Sequence, residues 1–473
     1  MVKTQIDCDT VIIGAGSAGI EAFREASKNG RKCVLIDDGP LGTTAQRSGE
    51  IPTSILMSAG LSMHDSHRMN MFGIETHGDI QFDTSDVLNQ LRAVRSRSTS
   101  RVLSFMYKIP EEQRLHGKAR FISAHSLETD DHMVCFKTAV VCTGASPRVT
   151  YEQSRLPGII TTDDFYEQKN LPKSAAVFGS SSVGLQLGQA LSYLGVDVMV
   201  FGQRRLWELT DDAVLNVAHQ MLSARFHLAI DSFITSIEAS DDGYSIYYID
   251  ESNYENYLKM DAVIAATGRM PNVGGMCLQD IGVKLEKTGC IRVDADTMQT
   301  SMPNIFAAGD VAHDRQSTTI AREEGKLAGR NARNYPKLKA ADGKVRLDIV
   351  YTDPVLAIVG YSLEEMKRRA DSTGCKFVIS DVRLDNSHYW ARHEDGGIVS
   401  LYTDVNTHTV MGAEICASGA DHIAQFLSLV IKTKMSVEEL TNFGFYHLSC
   451  EGAIAEAAKI ALQKLSGFAG KKA

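Results

Sequence analysis

The chain has 473 residues, with 49 basic and 58 acidic side chains and a formal net charge of −9. That acidic balance gives no electrostatic reason to bind nucleic acid or an anionic membrane. With 44% apolar and 23% charged residues the composition is that of a globular protein, not a disordered one. The length suggests roughly three domains, and no apolar run approaches the roughly 18 residues that span a bilayer. The opening Met1-Val2-Lys3-Thr4-Gln5-Ile6-Asp7 has no apolar core of the signal-peptide kind. The nine cysteines are dispersed and odd in number, which argues against a disulfide framework. A reducing, cytoplasmic setting is therefore expected. No Cys-x-x-Cys or Cys/His cluster suggests a structural metal, and none is expected.

In chain order, Val11-Ile12-Ile13 reads as a short buried strand. Gly14-Ala15-Gly16-Ser17-Ala18-Gly19 follows, then a helical stretch to about Asn29 and a strand from Lys32 to Ile36 ending at Asp37. Strand, GxGxxG, helix, strand and acid, with 23 residues from Gly14 to Asp37, is the pattern of a dinucleotide site. The glycines allow a tight turn and let amides approach a pyrophosphate, and the acid can hold a ribose hydroxyl. Ala139 to Gly144 is a buried strand running into Thr-Gly.

A second unit starts near Ala175, with a strand at Ala176-Val177-Phe178, the turn Gly179-Ser180-Ser181-Ser182-Val183-Gly184, a helix to about Leu194 and a strand from Val198 to Phe201. Here the middle glycine is Ser181, whose side chain crowds the closest approach to a pyrophosphate. The strand ends at Gly202 instead of an acid, with Arg204 and Arg205 beyond it. These arginines suit either a 2′-phosphate or a solvated surface. Ala262 to Arg269 is another buried strand running into Thr-Gly, and Asn304 to Asp310 is a strand ending in Gly-Asp. From about 345, strand-like runs (349–351, 398–402) mix with amphipathic helices (420–432, 451–465), which reads as an α+β unit.

Taken together, these motifs resemble the class I pyridine nucleotide-disulfide oxidoreductases, the family of dihydrolipoamide dehydrogenase, glutathione reductase, mercuric reductase and soluble transhydrogenase. Leu41-Gly42-Thr43-Thr44, Gly117-Lys118-Ala119-Arg120-Phe121, Ala266-Thr267-Gly268-Arg269, Gly309-Asp310, Thr352-Asp353-Pro354, Val359-Gly360 and Phe445-Tyr446-His447 with Glu451-Gly452 carry the likeness along nearly the whole chain. The resemblance implies an α/β fold with two Rossmann-like dinucleotide-binding domains and a C-terminal α+β dimerisation domain. The FAD domain would comprise 1–150 and 273–344, the NAD(P)-type domain 151–272 and the dimerisation domain 345–473. It also implies a homodimer without membrane insertion or a nucleic-acid partner. Gly14, Gly16, Gly19 and Asp37 would hold the ADP part of FAD, Thr44 would lie by the pyrophosphate, Gly117 near the adenine, Thr143 and Gly144 near the nucleotide, and Asp310 on the ribityl chain. Gly179, Gly184 and Arg269 complete the candidate cofactor set, with NAD or NADP as the second cofactor.

The positions that carry the family's chemistry are replaced. The family places Cys-x4-Cys before Ile-Pro-Ser-Lys, where this chain reads Ala45-Gln46-Arg47-Ser48-Gly49-Glu50-Ile51-Pro52-Thr53-Ser54. Neither Ala45 nor Glu50 can cycle between thiol and disulfide. The family's lysine and its glutamate partner are Ser54 and Gln186, so both charges of a buried pair are gone together, which avoids leaving one unpaired. Glu50 would touch the isoalloxazine, where it would be partly desolvated. If ionised it would disfavour added negative charge on the flavin, and if protonated it could donate a proton. The alternative for Glu50 is a surface ion pair with Arg47. His447 and Glu451 would correspond to the family's base and its orienting acid, and could pair at i, i+4 on a helix. The alternatives are Tyr446 in the base position or a plain interface histidine. Met57, Met63, His64, His67, Met69 and Met71 read as helix core and surface, with soft-metal binding as the alternative, and Arg92, Arg95, Arg97 and Arg101 read as a solvated helix face. Cys142 is expected to be buried and inert.

The expected activity is an FAD-dependent NAD(P)H:acceptor oxidoreductase that passes electrons directly from flavin to a small-molecule acceptor. The alternative is a non-catalytic FAD-binding protein with a structural or sensing role.

Overall fold

The computed structural model describes residues 3–75, 78, 80, 82–202, 205–313, 315–385, 387–394 and 396–469. Met1, Val2 and Arg204 lie outside them. A seven-stranded sheet forms the first layer. At its centre Thr4–Ile13 runs parallel to Cys33–Asp37 on one side and to His132–Val141 on the other. Ile305–Ala307, from far along the chain, joins the same sheet beside His132–Val141. The strand ends at 11–13, 34–36 and 139–141 are apolar and buried, packed on one face by the helices Ser17–Ala26 and Thr318–Asn334 and on the other by residues such as Phe121, Met276 and Ile291.

A second sheet of five parallel strands is built from the segment between. Ser174–Phe178 lies between Asp197–Gly202 and Ala262–Ala265. The strands leading into and out of this unit, Ala145–Pro147 and Arg269–Pro271, pair antiparallel. A three-stranded antiparallel sheet, Phe233–Ser240, Gly243–Ile249 and Glu255–Met260, which the sequence reading did not foresee, covers one side of this unit. The C-terminal unit is a five-stranded antiparallel sheet from Leu347 to Ala417, with the helices Ala420–Thr433 and Gly452–Ala469 packed on it.

The altered motif runs into the first of two long helices. Glu50–Arg68 packs on Ser182–Tyr193, so tightly that a Cβ on Gly60 would lie 3.0 Å from the Ala190 carbonyl oxygen. Thr84–Met106 lies behind it. On that helix Arg92 and Arg95 do not form the solvated face expected from their spacing. Arg92 donates to the carbonyls of Tyr166 and Gln168 at 3.2 and 2.8 Å. Arg95 donates to the Arg47 carbonyl at 3.1 Å and pairs with Glu167 at 2.7 Å. Only Arg97 and Arg101 are exposed.

The second and C-terminal units are pinned by Glu414, wholly buried on the strand Val410–Ala417. Its carboxylate accepts from the amides of Thr210, Asp211 and Leu363 at 2.7, 3.0 and 2.9 Å, and from the Thr210 hydroxyl. These donors open the helices Asp212–Ser223 and Leu363–Thr373, whose N-termini favour an anion. Glu414→Leu leaves three amides and a hydroxyl buried without an acceptor. It is expected to cost about 3 kcal/mol or more, seen as a lowered thermal midpoint in calorimetry, while Glu414→Gln, which keeps a carbonyl acceptor, recovers part of the loss.

Candidate functional site

The first glycine turn is held by backbone contact. Gly14 has φ +101°, and a Cβ there would lie 2.3 Å from the Cys142 carbonyl oxygen. A Cβ on Gly19 would lie 1.8 Å from the Gly14 carbonyl oxygen. Gly16 differs, since its Cβ would meet nothing nearer than the Cys142 carbonyl oxygen at 4.0 Å, and no side chain caps the helix Ser17–Ala26 that starts behind it. The helix N-terminus therefore opens on a space that a side chain would fill, which fits a pyrophosphate. Asp37 braces the turn, accepting from the Ala15 amide at 2.6 Å and the Gly39 amide at 2.7 Å. The Gly117 amide donates to the Asp37 carbonyl at 3.0 Å, bringing Gly117 beside the acid. Thr143 is locked to Asn272 by two bonds, at 2.7 and 2.9 Å, and Gly144 follows with open space where a Cβ would stand.

Asp310 follows the strand Ile305–Ala307 and is half-buried. Burial pushes its carboxyl up, with Glu324 and Glu50 adding to the shift and His313 and Arg269 opposing it. Glu324, on the helix Thr318–Asn334, accepts from the Gly309 amide at 3.0 Å and bonds His313 Nε2 at 2.9 Å. Arg269 is engaged by the chain itself, bidentate to Asp163 at 2.8 and 3.2 Å and donating to the Ala145 carbonyl.

The altered motif forms one closed turn. Thr44, exposed, opens the short helix Thr44–Arg47, and the Gly49 amide returns to the Thr44 carbonyl at 2.8 Å. Ala45 and Glu50 lie on the two sides of that turn. All nine cysteines are free. Glu50 is the first residue of its helix, and Gly49 before it supplies no side-chain cap. Its carboxylate accepts from the Thr318 amide at 3.3 Å, so two helix N-termini meet at this group. The alternative pairing with Arg47 does not form; Arg47 donates to the Pro40 carbonyl at 3.1 Å. Glu50 is exposed in the chain, so the desolvation expected for it is not supplied by these residues alone. Thr318 had no signal in the sequence as a partner for Glu50.

Ser48 donates to Asp163 at 3.0 Å, tying the turn to Arg269. Thr53 is buried, donates to the Gly49 carbonyl at 2.7 Å and meets the Tyr166 hydroxyl at 2.6 Å. Burial pushes that phenol up to about 12. Ser54 is exposed, and Gln186 bonds its own helix at the Ser182 carbonyl, 3.0 Å away.

In the second glycine turn a Cβ on Gly179 would lie 2.2 Å from the Ala266 carbonyl oxygen, and one on Gly184 2.0 Å from the Gly179 carbonyl oxygen. Ser181 caps the helix Ser182–Tyr193 itself, accepting from the Gly184 amide at 3.3 Å and donating to the Ala266 carbonyl at 3.0 Å. Arg205 forms an exposed pair with Glu364 at 2.9 Å.

His447 and Glu451 are not brought together. Residues 447–451 form turns instead of a helix, with Leu448 at φ +64°, so the i, i+4 geometry is absent. Tyr446 is 86% exposed, and His447 is exposed too. For Glu451, burial raises the carboxyl, but bonds from its own backbone, Ser449 and Cys450, with His422 nearby, hold it below the ordinary range. Burial drives the Cys142 thiol far up, which keeps it protonated.

Two glycine-turn nucleotide units followed by an antiparallel C-terminal sheet define an oxidoreductase architecture of the flavoprotein kind. The family model described as pyridine nucleotide-disulphide oxidoreductase matches residues 8–325, and its dimerisation domain matches 347–458, so the chain belongs to that family. Members of the family bind FAD and depend on NAD(P)H. The mercuric reductase of Staphylococcus aureus is 27% identical over 456 residues, covering 94% of this chain and 81% of the relative. The dihydrolipoyl dehydrogenase of Geobacillus stearothermophilus is 26% identical over 465 residues, 97% of each chain. The solved structure of the HOCl-induced flavoprotein disulfide reductase RclA from Escherichia coli superposes with a TM-score of 0.80 at 19% identity, over 96% of this chain and 99% of that one, a likeness of fold. No helix among the described residues is long and apolar enough to cross a membrane.

The two outer glycines and the middle one are expected to behave differently on substitution. Gly16→Val should fold with a near-native thermal midpoint in the apoprotein yet bind FAD at least tenfold more weakly, whereas Gly19→Ala should fail to fold natively. Calorimetry of the apoprotein and fluorescence titration with FAD separate the two effects.

Proposed function

We propose that the chain is an FAD-dependent NAD(P)H:acceptor oxidoreductase that works without a redox disulfide, as a homodimer in the cytoplasm, with electrons reaching a small-molecule acceptor directly from the flavin. The observation that carries the reading is the closed turn holding Ala45 and Glu50, with no thiol on either side of it. Bound at the first glycine turn, FAD would supply the two-electron chemistry. The chain's part is positional and electrostatic. Gly14, Gly16 and Gly19 shape the turn, Asp37 and Gly117 stand where the adenosine half would lie, and Asp310 presents a half-buried carboxyl.

Glu50 contributes a negative charge fixed at the Thr318 amide. Held there, it opposes the build-up of negative charge on a neighbouring ring system and lowers its tendency to accept electrons. A nicotinamide cofactor would enter over the second turn, where Ser181 supplies its own cap and leaves the helix N-terminus partly satisfied. That cap is also what favours the second reading, a non-catalytic FAD-binding protein, because it stands where the family's open turn receives the cofactor.

Anaerobic titration of the purified protein with NADH and then NADPH, followed at the oxidised flavin band, decides between them. Bleaching is expected, and the better reductant names the nicotinamide cofactor. A yellow protein that neither cofactor bleaches supports the non-catalytic reading. Lipoamide turnover by pure protein would overturn the loss of disulfide chemistry. Glu50→Gln should raise the flavin's two-electron potential by at least about 30 mV, a factor of ten in the reduction equilibrium, measured against a reference dye.

A further inference from the structure

At the far end of the Glu50 helix, the three units of the chain meet on one network of side chains. His64, on that helix, stacks on Tyr193, the last residue of Ser182–Tyr193, with ring centroids 4.2 Å apart and planes 12° from parallel. Arg225, which follows the helix Asp212–Ser223, donates to His64 Nε2 at 2.7 Å. Asp353, which leads into the C-terminal strand Val355–Gly360, lies 3.5 Å from Arg225 and accepts from the Tyr193 hydroxyl at 2.8 Å. Gln189 clamps the same residue, accepting from the Asp353 amide at 2.8 Å and donating to its carbonyl at 2.6 Å.

A guanidinium only donates, so the Arg225 bond needs a lone pair on His64 Nε2. The imidazole in this network is therefore neutral, with its proton on Nδ1. Arg225 and Asp353 balance each other, so a proton added to His64 brings a positive charge that the pair does not compensate. It also turns the accepting Nε2 into a donor aimed at the guanidinium. Among the described residues, the other charged groups facing His64 are Arg68 and the exposed Asp65, both on its own helix and opposite in sign. Burial first, then Arg225, with Arg68 assisting, holds the His64 pKa below its ordinary value, while Asp353 and Asp65 oppose the shift. Beside the stack a cavity of about 480 Å³, lined by His64, the exposed His67 and Met63, gives a charged ring a way out of the network.

We propose that His64 is a pH-sensitive clasp joining the Glu50 helix to the second and C-terminal units: neutral, it holds Arg225 and the Tyr193 stack, and protonated, it leaves both. The clasp lies fourteen residues along the helix from Glu50 and is independent of the redox reading. A histidine held below its ordinary pKa in the folded chain stabilises the fold above that ordinary value, and the contribution is lost as pH falls through the folded value. The test compares the FAD-loaded protein with His64→Gln, whose amide oxygen can accept from Arg225 but takes no proton. With the histidines isotopically labelled at Cε1, the resonance missing from the variant is that of His64, and it should titrate below about 6.5. From about pH 7 to about pH 5, hydrogen exchange over 61–68, corrected for the intrinsic rate, should speed up at least threefold more in the parent than in the variant. A His64 titration at or above about 6.5, or equal acceleration in both proteins, overturns the proposal. Should the variant not fold, exchange in the parent decides alone. Acceleration through a single midpoint below about 6.5 supports the clasp, and exchange that does not change with pH overturns it.

Discussion

Backbone packed directly on backbone is the constraint from which the site follows. The helix Ser17–Ala26 is pressed against the first glycine turn on one side and against the helix Thr318–Asn334 on the other. In the second contact a Cβ on Gly325 would lie 2.1 Å from the Ala18 carbonyl oxygen, and one on Gly329 2.3 Å from that of Ala22. With no side chains to give way, the two helices have one relative position. That position fixes the Thr318 amide and the Glu324 carboxylate, and Glu324 in turn holds the Gly309 amide just before Asp310. The flavin-side geometry is thus set by absent side chains.

The parts of this arrangement that were legible in the sequence are local. A strand, a glycine turn and a helix lie within some twenty residues of one another, and their spacing reports their geometry directly. The parts that were not legible depend on distant partners. Arg92 and Arg95 read as a solvated face because the carbonyls they hold come from Tyr166, Gln168 and Arg47. Glu50 has a residue of opposite charge three positions away, yet its partner is an amide at Thr318. Gly325 and Gly329 sit in an otherwise ordinary amphipathic helix, and only the neighbouring helix shows why they lack side chains. The i, i+4 pairing of His447 with Glu451 does not form, for a local reason. Their spacing suited a helix, but Leu448 takes a left-handed conformation between them and turns the chain.

The sequence suggests that a buried charge pair was lost at positions 54 and 186, but position 54 is exposed, so a lone lysine there would not carry the cost of a buried unpaired charge. Gln186 satisfies itself on its own helix, and Ser54 faces solvent. The contact between the Glu50 and Ser182 helices is held elsewhere, by the close approach at Gly60 and by the Leu56 and Leu187 side chains in the shared core.

The Glu50 carboxylate meets two helix N-termini. There the peptide dipoles compensate it without a counter-ion side chain. This explains how an acid can stand in a turn otherwise built around uncharged residues without distorting it. It also ties the charge to the backbone, so that its position relative to Asp310 is set by the packing of the Thr318 helix and not by a flexible side-chain pair. A carboxylate anchored on a backbone amide near Asp310 is placed to act electrostatically on a group bound beside it.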